Sequence, residues 1–501
     1  TLQQSSAASD VYKRQLQNTG GDRLAQDDTL IKGWQPVIGL EVHVQLMTNT
    51  KLFSPARNQF GEDANTLVDL IDLGLPGVLP VLNEGAMKQG IKLGLATNAK
   101  IAETMIFDRK NYFYPDLPKG YQITQLHYPI VRDGVVEVEG KKIRIHQAHL
   151  EEDAGKSIHD KYDDKSVIDL NRSGVPLLEI VSEPDIRSAS EAVDYLKKIH
   201  QIITYLDISD GNMSQGSMRC DANVSIMKPE DKEFGIRAEI KNINSFKFVE
   251  KAINFEIKRQ IKILEANGAV EQETRLYDSI KDETRSMRTK EFANDYRYFP
   301  CPDLVPTNIS KEFIESVRKD MDELPEEKQE RFISTYNLNE YDAGVICADK
   351  KIANFFEEVV KDADIQLAAK WIIGDLNALL NKHDISLDES KIDATNFSEL
   401  IQKITDNTIS GKIAKEVLEE IWVTGTKVSE VIDSKGMQQI SDEGELENII
   451  ETILNENNNQ VNAYKSGKDK LFGFFVGQVM KATQGKANPG LVNELLKKKL
   501  S

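Results

Sequence analysis

The chain of 501 residues has few cysteines, no long apolar runs and no excess of positive charge. Its three cysteines, Cys220, Cys301 and Cys347, are scattered and odd in number. This pattern argues against a disulfide framework and against a cysteine-rich zinc site. No apolar run is long enough to span a bilayer, and no signal peptide is evident. These absences predict a cytoplasmic protein without membrane contact.

The formal net charge is −18. A chain this acidic does not attract nucleic acid through its overall field, so any RNA contact requires a local basic patch. One patch is present near the C-terminus, formed by Lys465, Lys468, Lys470, Lys481, Lys486, Lys497, Lys498 and Lys499. Attraction of backbone phosphates is its functional interpretation, and an ordinary solvated surface is the alternative.

Common nucleotide-binding and hydrolase motifs are also missing. The sequence has no G-x-x-x-x-G-K-[ST] loop and no G-x-G-x-x-G that follows a strand. It has no G-x-S-x-G elbow and no serine-rich amidase stretch. If the protein binds a nucleotide, we therefore expect the nucleotide on a polar face of a β-sheet.

Three segments with alternating polar and apolar residues suggest such a face. The segment 37–46, VIGLEVHVQL, predicts a central strand with Leu40, Val42, Val44 and Leu46 on one side and Glu41, His43 and Gln45 on the other. The segments 218–226 and 236–244 alternate in the same way, and the turn-rich link between them predicts a hairpin. Their polar sides carry Arg219, Asp221, Asn223 and Ser225, and Arg237, Glu239 and Lys241.

The segment IRIHQAHLEEDAGK adds His149, Glu151, Glu152 and Asp153 at the end of a further predicted strand. Carboxylates beside an imidazole, arginine and lysine are suited to a divalent cation with a polyphosphate. The alternative is one solvated side of an antiparallel sheet. Short, directional side chains on three strands favour the cation site. His43 could bind Mg²⁺ or orient a carboxylate or water, and the sequence leaves both roles open.

Changes in composition and periodicity along the sequence predict four regions. Residues 1–30 are aperiodic and polar and predict a disordered or artefactual tail. Residues 31–306 are rich in short strands and turns and predict an α+β domain. Residues 307–403 and 404–501 show helical periodicity. Capping patterns at Ser188/Glu191 and Asp442/Glu445 predict two helix starts.

Several long motifs resemble those of the B subunit of the tRNA-dependent amidotransferase, the GatB family. They include IGLEVHVQL, FDRKNYFYPDLPKGYQI, HLEEDAGK, DLNRSGVPLLEIVSEPD, MRCDANVSI, DYRYFPCPDLVP and KLFGFFVGQVMKATQGKANP. The resemblance implies a glutamine-synthetase-like antiparallel-sheet cradle domain over 31–306. It further implies an all-α helical domain over 307–403 and a small helical tRNA-binding tail domain over 404–501.

The resemblance also implies a reaction. The B subunit uses ATP and Mg²⁺ to phosphorylate the side-chain carboxylate of glutamate (or aspartate) mischarged on tRNA-Gln (or tRNA-Asn). Ammonia channelled from the amidase, which is the A subunit, then gives the amide, in a complex that includes a small C subunit. The alternatives are a non-catalytic tRNA-positioning subunit and, more weakly, a ligase using free ammonia. A bacterial-type cytoplasm is the expected location, and an organelle matrix is the alternative.

Residue roles follow from the same resemblance. The implied catalytic and Mg²⁺-binding residues are Glu41, His43, Glu151, Glu152 and Asp221. The implied ATP or substrate contacts are Arg219, Lys241, Asn242, Arg109 and Lys119, and the implied tRNA contacts are Lys465, Lys468, Lys470, Lys481 and Lys486.

One departure from the family pattern concerns the early loop 51–77. Many relatives carry two cysteine pairs around a zinc ion in this loop, but here it has no cysteine, so no zinc is expected. Near the tail lysines, we expect Phe472, Phe474 and Phe475 to belong to a core. In the FDRKNYFYPDLPKGY loop, we expect Tyr112, Phe113 and Tyr114 to pack within the loop.

Overall fold

The structure is a computed structural model that describes residues 30–158, 165–289, 296–383, 385–436, 443–483 and 486–500. The predicted N-terminal tail up to Thr29, and Asp442 of the second capping pattern, lie outside these residues. The chain divides between Leu324 and Pro325 into two compact units.

A nine-stranded sheet forms the centre of the first unit. Its strands are β1 (Gln35–Gln45), β2 (Lys100–Ile101), β6 (Val131–Val138), β7 (Lys141–Glu152), β10 (Pro176–Ser182), β11 (Met218–Met227), β12 (Ala238–Ile243), β13 (Glu273–Asp278) and β14 (Glu283–Thr289). Their order is β14-β13-β12-β11-β1-β10-β7-β6-β2, so β1 is central, as the sequence predicts. The predicted hairpin is also confirmed, because β11 and β12 pair antiparallel.

Smaller sheets complete the strands of this unit. Their members are β3 (Thr104–Met105), β4 (Asp108–Asn111), β5 (Tyr121–Thr124), β8 (Lys156–Ile158), β9 (Val167–Asp169), β15 (Phe299–Pro300) and β16 (Thr307–Asn308). Strand β4 lies between β15 and β5 in a three-stranded sheet.

The prediction of an antiparallel sheet is wrong at one pair of strands. Strands β12 and β13 run parallel. Parallel neighbours need a long crossover, and the helix Phe246–Glu265 provides it between these two strands. The central sheet is therefore mixed, while the predicted α+β class is confirmed. The glutamine-synthetase-like character of the cradle stays a prediction.

Helices cover the apolar face of the central sheet. The helices of the unit are α1 (Glu84–Ala96), α2 (Ala189–Tyr205), α3 (Phe246–Glu265) and α4 (Lys311–Lys319). The buried sides of α2 and α3 share one core with Leu40 and Val42 of β1. Each such buried aliphatic side chain contributes about 1.5–3 kcal/mol. Ser188 caps α2 and accepts a hydrogen bond from the Glu191 amide at 3.1 Å, as the capping pattern predicts.

The described part of the second unit is helical throughout. Its α-helices are α5 (Pro325–Tyr336), α6 (Glu340–Cys347), α7 (Lys350–Val359), α8 (Ile365–Trp371), α9 (Asn377–His383), α10 (Ala394–Thr405), α11 (Gly411–Thr424), α12 (Val428–Lys435), α13 (Glu443–Glu456), α14 (Asn458–Lys465), α15 (Leu471–Ala482) and α16 (Pro489–Leu500). A π-helical turn, Ile372–Leu376, joins α8 to α9, and a 3₁₀ turn covers Leu387–Glu389. None of the helices in the described ranges has both the length and the apolar character needed to cross a membrane.

The apolar cores have limits that differ from the region boundaries predicted from the sequence. Ile309 and Val317 pack into the core of the first unit, beyond the limit predicted at residue 306. In the second unit, one apolar core runs from Phe332 to Ile432 and another from Leu446 to Leu500. The periodicity of a sequence shows that a helix is amphipathic, but it does not show which core its apolar side joins.

A buried ion pair holds the cysteine-free loop 51–77. The Lys51 ammonium lies 3.0 Å from the Asp72 carboxylate, and both side chains are almost fully buried. Burial lowers the pKa of Lys51, and Asp72 opposes this effect. The pair packs against Gly174, where φ is +83° and a Cβ would lie 2.6 Å from Asp72 Oδ1. Only glycine fits this position.

We predict that Asp72→Asn destabilises the first unit by about 3 kcal/mol, because the Lys51 ammonium would stay buried without its carboxylate. Hydrogen–deuterium exchange of first-unit peptides in increasing urea would measure the change. The matched control is Asp133→Asn, which breaks the exposed Lys100–Asp133 pair, also 3.0 Å long. Equal effects of the two variants would contradict the assigned role of the buried pair.

Candidate active site

The strand register brings the polar side chains of four neighbouring strands together. His43 on β1 faces Glu179 on β10 and Arg219 on β11. Glu179 in turn faces His149 on β7. Residues directly opposite in antiparallel strands share a face, with Cβ atoms about 5 Å apart. One row of the sheet therefore reads His149–Glu179–His43–Arg219, on the side opposite the buried face of β1.

Two further rows follow along the strands. Glu41 on β1 faces Asp221 on β11, and in the next row Asn223 on β11 faces Glu239 on β12. Asn223 Nδ2 donates a buried hydrogen bond of 2.9 Å to Glu41 Oε1. The sequence prediction that Glu41, His43, Asp221 and Asn223 share a polar face is therefore confirmed by the geometry.

His43 lies between three carboxylates. Its Nδ1 is 3.8 Å from Glu151 Oε1 and 3.9 Å from Glu179 Oε2. Its Nε2 is 3.9 Å from Asp221 Oδ2. The His43 side chain keeps 20% of its surface exposed, whereas that of Glu151 keeps 5%. The imidazole therefore lies at the mouth of a largely buried acidic cluster.

Burial and the neighbouring carboxylates raise the pKa of Glu41. Burial, followed by the charges of Glu179 and Glu239, raises this pKa to about 8. Without a bound cation, Glu41 therefore holds a proton at neutral pH. A cation in contact with these carboxylates would compete with that proton.

His149 is the buried counter-ion on the β7 side of the cluster. Its Nε2 lies 3.1 Å from Glu179 Oε2 and 3.6 Å from Glu151 Oε2. Burial alone would lower the pKa of His149, but the two carboxylates outweigh it and raise the pKa to about 10. Burial alone would likewise raise the pKa of Glu179, and the neighbouring imidazoles hold it below its ordinary value instead.

Two lysines border the cluster. Lys241 on β12 lies 2.5 Å from Asp221 Oδ2 and 2.9 Å from Glu239 Oε1. Burial alone would lower the pKa of Lys241, but the carboxylates, Asp221 foremost, raise it. For Lys110 on β4, burial is again outweighed by nearby groups that include Glu151 and Glu179, so its pKa is also raised. Both side chains are therefore ammonium ions at neutral pH.

Within the described part of the chain, three overlapping groups of side chains could hold a metal ion. Within each group, one ligand atom from every residue lies within 4.8 Å of the others. The groups are Glu41, His43 and Glu179; His149, Glu151 and Glu179; and Glu41, Asp221 and Glu239. Four of the five predicted metal-binding residues thus take part, namely Glu41, His43, Glu151 and Asp221.

Glu152, the fifth, lies apart from the cluster. Successive side chains of a strand point to opposite faces, so Glu152 leaves the face that carries Glu151. Its carboxylate binds the Lys119 ammonium at 2.5 Å and the Ile123 amide at 2.8 Å. Lys119 is therefore also occupied outside the cluster.

The structure does not bring Arg109 and Asn242 into the cluster either. The Arg109 guanidinium pairs with Asp303 and stacks on the Tyr121 ring at 4.1 Å. Asn242 has φ +67° and donates a hydrogen bond of 3.1 Å to the Tyr277 carbonyl. The prediction that Phe113 packs within its loop is wrong, because its side chain is 87% exposed.

Sequence reasoning missed Glu179, and it placed His149 and Glu239 on polar faces without naming them as metal ligands, although the structure brings all three into the cluster. For Lys110, the sequence suggests a contact with the nucleotide or the tRNA end. The signal for Glu179 is a single carboxylate within the buried strand PLLEIVS. His149 stands two residues before Glu151 and so shares its face. Lys110 follows Arg109 on β4, and the alternation of side chains decides which of the two reaches the cluster.

The C-terminal lysines predicted to bind tRNA lie on the surface of the second unit. Lys465, Lys468, Lys470 and Lys481 are exposed, and Lys486 is half-buried. The nearby aromatic residues pack into the last apolar core, with Phe475 fully buried and Phe472 and Phe474 against it. Their predicted place in a core is confirmed.

The fold and the cluster together define the class of protein as one with two units, of which the first carries the candidate site. Its first unit is an α+β domain with a carboxylate–histidine site on a central sheet, and its second unit is helical. Comparison with protein families agrees with this division. A family model described as the GatB/GatE catalytic domain matches residues 36–315, and one described as the GatB domain matches residues 354–500.

Curated relatives extend the match over nearly the whole chain. Proteins named as the B subunit of aspartyl/glutamyl-tRNA(Asn/Gln) amidotransferase are 57% identical in Thioalkalivibrio sulfidiphilus and 54% identical in Alkalilimnicola ehrlichii. Both matches cover 93% of this chain and 99% of the relative. The relative from Coxiella burnetii is 55% identical over 93% of this chain and 100% of its own length. The chain belongs to the GatB family of amidotransferase B subunits, as the sequence motifs predict.

The raised pKa of His149 predicts a pH dependence of stability in the metal-free protein. Between its ordinary value of 6.5 and about 10, folded protein keeps a proton on His149 that the unfolded chain has released. The free energy of unfolding should therefore fall as pH rises through this window. His149→Gln should make the fall shallower, measured as the urea midpoint of first-unit peptides in hydrogen–deuterium exchange.

The control for this prediction is His127→Gln, which alters an exposed histidine of the same unit. It should keep the wild-type slope of stability against pH. A wild-type slope in His149→Gln would show that His149 is not the group that holds the proton.

Proposed function

We propose that this chain is the ATP- and Mg²⁺-dependent subunit of a tRNA-dependent amidotransferase. An oxygen of the side-chain carboxylate of glutamate (or aspartate) on tRNA-Gln (or tRNA-Asn) attacks the terminal phosphorus of ATP, and ADP leaves. Ammonia then attacks the acyl carbon, phosphate leaves, and the amide forms with loss of a proton. Family membership supports the reaction class. The convergence of carboxylates and imidazoles around His43 is the observation that carries the catalytic assignment.

The donor set of the cluster fits Mg²⁺. Hard carboxylate oxygens are its preferred ligands, and it commonly keeps waters and phosphate oxygens as the others. Glu41 and Glu179 with His43, or Glu41 with Asp221 and Glu239, would hold the ion. A bound Mg²⁺ supplies positive charge that neutralises phosphoryl oxygens. The raised pKa of Glu41 supports this proposal, because burial and then the charges of Glu179 and Glu239 disfavour its ionised form, which a cation would stabilise.

The cationic side chains of the site have a complementary role. Phosphoryl transfer spreads negative charge over the transferred group, and positioned cations stabilise that charge. Lys241 and Lys110 meet the acidic cluster from different strands, and Arg219 lies beside His43 in the same row. Held by carboxylates, these groups need little reorganisation when an anion arrives. We include Arg219 and Lys241 among the phosphate or substrate contacts.

The proposal also includes a cradle-shaped first unit, partner subunits and tRNA. A sheet with a carboxylate-rich face, backed by helices, supports a glutamine-synthetase-like cradle. The word "subunit" in the relatives' names supports assembly with other chains, which we take to be an amidase A subunit and a small C subunit. Mischarged tRNA would contact the C-terminal lysines, and the bacterial sources of these relatives support a cytoplasmic location.

We predict that Asp221→Asn and Glu151→Gln each lower glutamyl-tRNA-dependent ATP hydrolysis by about a hundredfold or more in the assembled complex. The reason is loss of a carboxylate charge that the proposed cation requires, while tRNA binding is kept. Release of labelled phosphate and a filter-binding titration with tRNA would measure the two properties.

The matched control is Glu183→Gln, since Glu183 also pairs with a histidine, His146, at 2.9 Å, but at the middle of β7 and outside the acidic cluster. It should keep wild-type hydrolysis. If Asp221→Asn and Glu151→Gln form the amide at normal rates, the catalytic assignment fails. A chain that only positions tRNA would then be the better account.

We predict that Lys465, Lys468 and Lys470, changed together to Gln, weaken tRNA binding through loss of phosphate contacts. The slope of log affinity against log salt should become shallower by about 2–3. The control changes the exposed lysines Lys361, Lys370 and Lys412 of the same unit, which alters net charge equally. An equal loss in both variants would exclude a localised tRNA contact at the tail.

A further inference from the structure

Arg172 lies in the connection between β9 and β10, next to the end of β7. Its Nε donates a hydrogen bond of 2.9 Å to the Ala154 carbonyl, and its Nη2 donates one of 2.6 Å to the Gly155 carbonyl. The same Nε lies 3.6 Å from Asp153 Oδ2. These contacts fix the plane of the guanidinium, while 37% of the side-chain surface stays exposed.

Arg219 reaches the same carboxylate oxygen from β11. Its Nη2 donates a hydrogen bond of 3.0 Å to Asp153 Oδ2. Gln45 of β1 donates another of 3.0 Å to this oxygen, so Asp153 is held in place from β1 as well. Arg219 Nε is buried and has no hydrogen-bond partner within the described ranges. Two guanidinium groups therefore meet at one buried carboxylate.

Asp153 alone does not balance the two guanidinium groups. A structural ion pair would need only one arginine, and the second adds repulsion that Asp153 alone does not remove. Asp221 and Glu151 also act on Arg219, but they belong to the acidic cluster beside it, where a bound cation would offset their charges. With that cation in place, an anion that bridges the two guanidinium groups would balance their charge.

We propose that Arg172 and Arg219, held by Asp153, bind the terminal phosphoryl group of a nucleoside triphosphate. This inference rests on the proposed function and adds Arg172 as a contact to the transferred group. Guanidinium forks match the oxygen geometry of phosphate, and a phosphoryl group carries more charge and more acceptors than a carboxylate. A cation in the neighbouring carboxylates would bind the other oxygens of the same phosphate chain.

The test compares equilibrium binding of ADP with that of a non-hydrolysable ATP analogue to the intact complex in Mg²⁺. Only the analogue has a terminal phosphoryl group. Arg172→Ala should reduce the preference for the analogue over ADP by about tenfold and leave ADP affinity nearly unchanged. The preference of Arg172→Lys should lie between those of the wild type and Arg172→Ala, since lysine keeps the charge but loses the paired N–H donors of the guanidinium group.

Two further variants separate this role from a loss of structure. Arg172→Ala also removes the donors to Ala154 and Gly155, so Arg219→Ala, which leaves those carbonyls bound, should lower the same preference. The matched control is Arg144→Ala, which breaks a two-nitrogen contact with Asp185 near the other end of β7 and should keep the preference.

The outcomes distinguish this inference from the proposed function. A wild-type preference for the analogue that survives in both Arg172→Ala and Arg219→Ala overturns the inference and leaves the proposed function intact. A wild-type complex that binds neither nucleotide overturns both. If Arg172→Ala instead loses only the discrimination between glutamyl-tRNA and uncharged tRNA, the site binds the substrate carboxylate and the phosphoryl assignment is wrong.

Discussion

The register of β1 against its two neighbours is the constraint on which the site depends. In this register, His43 faces Glu179 on one side and Arg219 on the other. Because side chains alternate with a period of two, a slip by one residue would move every charged group to the face that α2 and α3 cover. Leu40, Val42 and the rest of the apolar face hold the register, since they lose their burial in any slipped pairing. The hydrophobic core thus positions the polar site behind it.

A site assembled in this way concentrates more carboxylates than it can keep ionised. The described structure balances them with a proton on Glu41, a protonated His149, and the ammonium groups of Lys241 and Lys110. We propose that a divalent cation replaces the proton on Glu41. Asp153 shows a different balance, in which one carboxylate pairs with two arginines. The groups that we propose for a cation and for a phosphoryl group therefore lie side by side.

Much of this could be predicted from the sequence, for physical reasons that differ between residues. Alternation placed Glu41, His43 and Asp221 on polar faces, and the Gly- and Pro-marked segments that follow β1 in a large chain predicted its central position. The sequence could not show that Glu179 and His149 complete the row, because pairing between distant strands sets that contact. Alternation within HLEED separates Glu151 from Glu152, yet the shared motif suggested one role for both. The parallel pairing of β12 and β13 depends on the path of α3, which local patterns do not encode.

We propose that the polar sides of neighbouring strands form one cation and phosphoryl site. The most direct measurement is anomalous diffraction from Mn²⁺ in crystals of the assembled complex with a non-hydrolysable ATP analogue. We expect an anomalous peak in contact with Glu41 and at least one of Glu179 and Asp221, with the terminal phosphate beside it. A peak and a nucleotide bound elsewhere, with this face of the sheet holding only water, would contradict the account.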